Sequence, residues 1–347
     1  SDRRGLWKQG LMQTSRSIAL ETLSFFDSNG YISSKKVDMA ISTLSFKDRA
    51  FCSNLIFETL RKRIRIDYEL SKYLRKPRGL PVSVLNALRM GALQLLFLDG
   101  VPPYAAIHST VELIGVAEFR RLANAVLRKL SLNGLTREVP AHVEHSHPEW
   151  LFDLWRGIEY ITDLEGLMEY NQTPPSETYY SKGGERDMLE NGYVFEKSEF
   201  SDLFVVFQKG GPTDGIERRD EMEFILERLG LPIFKYPGSQ TARLNSRPWL
   251  FHTLSRENLA RSAEKIRASI VGKLKESPFE EFIYYSQALS LEENTSLVKE
   301  IPNYAARQMG TFLDDSGIEG RFDGYGYWLL PDSSPLPGYL CLLGRIK

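Results

Sequence analysis

Thiol chemistry in this chain would have to come from two cysteines, Cys52 and Cys341. A thiol attacks only as a thiolate, and it ionises beside a histidine, a cation or a helix N-terminus. Cys52 sits in an apolar helical run with no histidine nearby, so it reads as a small buried hydrophobe. Cys341 falls in a terminal strand-like run and is expected to pack there. Two thiols in 347 residues suggest neither a disulfide framework nor a zinc site. His142, His145 and His147 lie close together but lack cysteine or paired acidic partners at ligand spacing. They read as a polar linker, and no metal is expected. Gly210-Gly211 follows a strand-like run, but a lone glycine pair is weak evidence for a nucleotide and reads first as a strand-to-helix turn. The chemistry left is charge. Arg3, Arg4, Lys8 and Arg16 lie on the N-terminal segment, and Arg61, Lys62, Arg63, Arg65, Lys72, Arg75, Lys76 and Arg78 form a dense run. Arg61 and Arg65, four apart, share a helix face. Such residues neutralise phosphates and give salt-sensitive, weakly sequence-selective binding to nucleic acid.

The length allows two or three domains with proper cores. A hydrophobic content of 42% and a charged content of 26% are ordinary for a soluble globular chain. No apolar run is long enough to span a bilayer, and Ser1-Asp2-Arg3-Arg4 does not open a signal peptide. A reducing cytoplasm is therefore expected, with no membrane partner. The net charge of −1 hides an asymmetry. Residues 1–135 hold 21 Lys+Arg against 11 Asp+Glu, and the remainder holds 23 against 34. A polyanion partner is expected for the first part only.

Three regions must position these charges. Residues 1–135 read as an all-α bundle: Ile18, Leu23 and Phe26, then Leu55, Ile56 and Leu60, then Leu85, Leu88, Leu93 and Leu96 fall near helical spacing. Pro77–Pro81 and Gly100–Pro103 break the pattern. Residues 136–175 read as a helical connector, with Pro148 in a first helical turn and Pro174-Pro175 ending helix. Residues 176–347 alternate strand and helix signals. Strands are expected at 203–207, 232–236 and 282–285, helices at about 217–229 and 256–275, and a closing hairpin from Tyr325–Leu330 and Tyr339–Ile346. This alternation predicts an α/β domain after the α domain.

Three segments of the first region carry a specific resemblance. They are Asp48–Leu55 with Thr59-Leu60-Arg61, Leu88–Phe97 with Val101–Ala106, and Arg120–Arg128. In this order they resemble the NusB-type RNA-binding domain found ahead of the Sun/Fmu-type RNA (cytosine-5) methyltransferases. His147-Pro148-Glu149-Trp150-Leu151 and Asn171-Gln172-Thr173-Pro174-Pro175 are similar to the connector of those enzymes.

The last region resembles their catalytic domain in spacing and departs from it in chemistry. Lys235-Tyr236-Pro237-Gly238-Ser239-Gln240-Thr241-Ala242 is similar to the family's Asp-Ala-Pro-Cys-Ser-Gly-Thr-Gly loop. Tyr285-Ser286-Gln287-Ala288-Leu289 is similar to Tyr-Ser-Thr-Cys-Ser, and Glu292-Glu293-Asn294 to the Glu-Glu-Asn that follows. The resemblance implies two cysteines, one adding to the cytosine ring and one helping release the product. Gly238 and Ala288 occupy those positions, and Lys235 replaces the loop aspartate. Covalent catalysis needs a thiolate at a fixed place. The family's S-adenosylmethionine turn, Ala-Ala-Pro-Gly-Gly-Lys, has at most the remnant Gly210-Gly211, and the 27 residues from Gly211 to Gly238 leave room for one helix and one strand. The resemblance therefore implies a NusB-like bundle followed by a reduced Rossmann-like domain. The function it implies is RNA binding, with ribosomal RNA the expected partner, without catalysis or cofactor. An active S-adenosylmethionine-dependent enzyme with an atypical site, and a NusB-like module binding a ribosomal or transcription protein, are the alternatives.

Overall fold

The structure is a computed structural model that describes residues 14–32, 34–75, 77–208, 215–235, 244, 247–276, 278–331, 334 and 337–346. The chain divides by packing into two compact units. The first is Ser1–Pro148 with Phe251–Thr253, and the second is Glu149–Leu250 with Leu254–Lys347.

The first unit contains α1 (Ser15–Asn29), α2 (Ser34–Ile41), α3 (Phe46–Arg61), α4 (Arg63–Ser71), α5 (Val82–Leu96), α6 (Pro103–Glu112), α7 (Ala117–Asn133) and a short α8 (Ala141–Glu144). Local chemistry sets several ends. Thr14 and Ser17 exchange side-chain and backbone hydrogen bonds in a capping box, and Gly30 at φ +72° closes α1 in the left-handed region. Ser45 caps α3 by accepting from the Asp48 amide. Pro103 opens α6, where a missing N–H costs nothing. The bundle closes around α5, whose Leu88, Met90, Ala92 and Leu93 are fully buried. Gly91 makes the crossing possible: a Cβ there would lie 2.8 Å from Leu127 Cδ1 on α7 and 3.0 Å from Thr110 Cγ2 on α6.

The second unit opens with α9 (Glu149–Arg156) and α10 (Leu164–Gln172). Then come β1 (Glu177–Ser181), α11 (Gly184–Glu190), β2 (Val194–Lys197), β3 (Phe204–Gln208) and β4 (Ile216–Arg218). These four strands form one antiparallel sheet in the order β2-β3-β1-β4. Tyr179, Phe204 and Val206 on one face pack with Met188 of α11. A second sheet uses β5 (Ile233–Lys235), β6 (Glu281–Ser286), β7 (Tyr304–Arg307), β8 (Gly320–Phe322), β9 (Tyr327–Leu329) and β10 (Gly338–Arg345). Its order is β5-β6-β10-β9-β8, with β7 also on β10. Between these strands run α12 (Glu221–Leu226), α13 (Arg256–Glu276), α14 (Thr295–Lys299) and α15 (Gly310–Asp315). Among the described residues only β5 and β6 pair in parallel. β6 is central, and Phe282 to Ser286 are fully buried, as a strand covered on both faces requires.

The α bundle followed by a mixed α/β region agrees with the expected class. The expected hairpin is the β9–β10 pair and the expected long helix is α13. The helix expected at 217–229 starts only at Glu221, because Ile216–Arg218 pairs with β1. Among the described residues no helix is long and apolar enough to cross a membrane.

Candidate functional site

The basic residues singled out in the sequence do not share one surface. Arg3, Arg4, Lys8 and Lys76 lie outside the described residues. Arg16 is half-buried on α1, donating from Nε to Gln94 Oε1 at 3.0 Å with its guanidinium over the Phe51 ring, and burial lowers its pKa. The run from 61 to 65 is largely internal, which corrects its reading as an RNA-facing helix surface. Arg61 is 3% exposed and donates to Glu58 at 2.8 Å. Lys62 is half-buried between α3 and α4, and desolvation lowers its pKa. Arg63 binds Asp27 at 2.7 Å and is depressed by burial and by the neighbouring Arg89. Arg65, 2% exposed, meets Glu69 at 3.3 Å, pairs with Glu144 and donates to the Thr136 carbonyl at 2.6 Å. The physical reason is compensation. Asp27, Glu69 and Glu144 bring carboxylates to these guanidiniums, and a buried cation persists only when it is so paired. Arg75, by contrast, is exposed. Sequence reasoning passed over Arg121, Arg128, Lys129 and Arg137, which are exposed on and after α7. Their signal was the helical period that buries Ala123, Val126, Leu127 and Leu130 on the opposite face.

The histidine cluster is no solvated linker. His147 is fully buried, its Nδ1–H donating to the His145 carbonyl at 2.6 Å and its ring edge-on to Phe251 at 4.6 Å. Burial pushes its pKa down to about 3. His252 donates from Nε2 to the Leu60 carbonyl at 2.7 Å and is pushed down to about 4 by burial, with Arg63 adding to the shift.

In the second unit the loop remnants form a closed polar assembly. Gly210, Gly211 and Gly238 lie outside the described residues. Lys235, 16% exposed at the end of β5, places Nζ 2.7 Å from Asp220 Oδ2 and 2.9 Å from Glu223 Oε2. Asp220 also caps α12 through the Glu223 amide, and Gln287 donates to its Oδ2 at 3.4 Å and contacts the Tyr285 hydroxyl at 3.3 Å. A lysine where the resemblance implies an aspartate is thus held by two carboxylates from the start of α12. Ala288 is fully buried, its amide donating to Ser286 Oγ at 3.1 Å and its carbonyl accepting from Asn294 Nδ2 at 2.9 Å. Trp155 Nε1 donates to the next carbonyl, Leu289, at 2.8 Å. The Glu292-Glu293-Asn294 spacing therefore has a structural purpose, since Asn294 reaches back to tie the loop. Cys52 is fully buried and its thiol is pushed up to about 11, and Cys341, also buried, donates to the Tyr325 carbonyl at 2.9 Å and is raised by burial. A cleft of about 700 Å³ lies beside this assembly, lined among others by Asn171, Pro174, Pro175, Arg218, Asp220 and Gln287. It brings the connector-like Asn-x-x-Pro-Pro segment and the Gln287 loop to one place.

Comparison with known proteins gives these features a family context. Residues 13–131 match the model of the NusB family. The probable ribosomal RNA small subunit methyltransferase B of Bacillus subtilis (strain 168) is 28% identical over 214 residues, covering 56% of this chain and 48% of that protein. The ribosomal RNA small subunit methyltransferase B of Thermus thermophilus is 32% identical over 205 residues, covering 55% and 48%. The chain thus spans about half the length of the curated relatives it matches. The crystal structure of PH0851 superposes with a TM-score of 0.67 over 97% of this chain and 100% of that one, at 12% identity, a likeness of fold. Residues 13–131 thus resemble the NusB family, and over about half its length the chain is similar to ribosomal RNA small subunit methyltransferases B.

Proposed function

We propose that this chain is a cytoplasmic RNA-binding protein, derived from a ribosomal RNA cytosine-5 methyltransferase, that holds ribosomal RNA without methylating it. The observation that carries the reading is the state of the second cysteine position. Ala288 offers no thiol and is fully buried, and both cysteines of the chain are buried with raised pKa values. A covalent route to cytosine C5 needs a thiolate at the ring, and nothing among the described residues supplies one. The NusB-family match and the excess of cations in residues 1–135 support RNA as the partner. The second unit then acts as a scaffold.

Filter binding of small-subunit ribosomal RNA fragments at rising salt tests the reading. The expected result is an affinity that falls linearly in log–log form with salt, the signature of released counterions. Absence of salt-sensitive affinity for any fragment overturns it. Titration calorimetry with S-adenosylmethionine tests the loss of catalysis, with no heat expected at micromolar ligand. Micromolar binding would restore the enzymatic alternative.

A further inference from the structure

We infer that the RNA phosphate backbone is gripped at the C-terminal ends of α4 and α7, by Arg75, Arg128, Lys129 and Arg137. The inference rests on the RNA-binding reading above and locates its surface. The two helix ends are joined side by side in the first unit. Asn133 Nδ2 donates to the Tyr73 hydroxyl at 2.8 Å, and the Thr136 amide donates to Glu69 Oε1 at 3.0 Å. Lys129 stands one turn before Asn133 on α7, and Arg128 one turn before Leu132, itself 86% exposed. Arg75 follows Tyr73 by two residues, and Arg137 follows Thr136. The four cations therefore sit on segments that these two hydrogen bonds bring together.

All four are exposed. None has an ion-pair partner among the described residues; Arg128 only accepts local support, donating from Nε to Asn124 Oδ1 at 3.2 Å. Glu69, which takes the Thr136 amide, is 1% exposed and already bound by Arg65, Lys72 and Thr136. Glu138 is the one exposed carboxylate in the adjoining segment 136–140. Two helix C-termini carry roughly half a negative charge each, which cations at the ends partly neutralise. Four cations exceed that need, and Arg75 and Arg137 lie beyond the last turns. The surplus matches a partner with regularly spaced anions. The cations of the run 61–65 are engaged inside the unit and do not contribute to this face. In the second unit most exposed arginines are paired, as Arg186 with Glu190, Arg218 with Glu177 and Arg219 with Glu217. On α13, Arg261 and Lys265 are exposed with no ion pair among the described residues. They serve as the comparison surface.

The experiment measures binding of small-subunit ribosomal RNA transcripts by the full chain over a salt series, with a helical melting curve for each variant. The variant Arg75→Gln/Arg128→Gln/Lys129→Gln should lose about tenfold or more in affinity at about 0.1 M salt, and its log–log salt slope should shrink by about 2 to 3. Arg261→Gln/Lys265→Gln should bind like the parent. Arg75→Lys/Arg128→Lys keeps the charges at the same positions and should keep the slope; its loss would mean that structure rather than charge was disturbed, and would overturn the assignment. An unchanged slope in the triple glutamine variant, with a loss in the α13 variant, would also overturn it and leave the RNA-binding reading intact. A parent chain with no affinity for RNA would sink that reading, and this surface with it.

Discussion

Lys235 stands where the resemblance implies an aspartate, and its surroundings hold it as a cation. Its ammonium lies between Asp220 and Glu223 and is mostly shielded from water. Lys235→Asp, the residue that the resemblance implies, sets three carboxylates together. Like charges at such distances in a partly buried place repel, and removing one member of a buried pair costs about 3–5 kcal/mol; Glu223 is 44% exposed, so screening reduces this to about 1–3 kcal/mol. The expected outcome is a lower urea midpoint, recovered in part by adding Asp220→Asn. The two buried histidines act in the opposite direction with pH. Both are neutral in the folded first unit, with pKa values near 3 for His147 and near 4 for His252, while in the unfolded chain they titrate near 6.5. The unfolded state thus binds more protons, and stability is complete above about pH 6.5 and falls as pH drops toward 4. At pH 5 each histidine withdraws about 2 kcal/mol. Denaturant unfolding at pH 7 and pH 5 should show that loss, and His252→Gln should remove about half of the slope. Neither histidine betrayed this in the sequence, where a cluster of three looked solvated. Burial comes from Phe251 and from α3, far away along the chain.

Helices were legible and short strands were not. The period that buries Leu88, Met90 and Leu93 fixed α5, and that of Leu259, Ile266 and Ile270 fixed α13. β2 is a four-residue edge strand, largely exposed, and β4 has three residues running into α12, so neither is long enough to show alternation. The packing between helices was also hidden, since it depends on a glycine meeting side chains from two other elements. Gly91 and Gly272 make the contrast testable. Both lie inside helices, but a Cβ at Gly91 meets Leu127 and Thr110, whereas nothing lies within 4 Å of one at Gly272. Gly91→Val should overpack the α5–α7 crossing and cost about 1–3 kcal/mol. Gly272→Ala should add about 0.5–1 kcal/mol, the ordinary helix preference of alanine. Urea midpoints with unchanged m values would register both; a stabilising Gly91→Val would mean that α7 does not sit where it is described.

At the scale of the molecule, charge is divided as the sequence led one to expect, but its use is not. The excess of cations in residues 1–135 could be counted from the chain. Which of them face solvent could not, because Asp27 and Glu144 neutralise Arg63 and Arg65 from opposite ends of the unit. The second unit carries the compensating acidic excess, and its loop remnants are tied up in Lys235, Gln287 and Asn294. A polyanion is attracted by the first and repelled by the second over a range of about 10 Å at 0.1 M salt. Ultraviolet crosslinking of ribosomal RNA to the full chain, read by mass spectrometry, should therefore place its crosslinks in peptides from residues 14–148, and lowering the salt should raise their yield without moving them. Crosslinks concentrated around Asn171, Pro174 or Gln287 would mean that the cleft of the second unit still takes in RNA, and that the loss of its cysteine positions left a binding site behind.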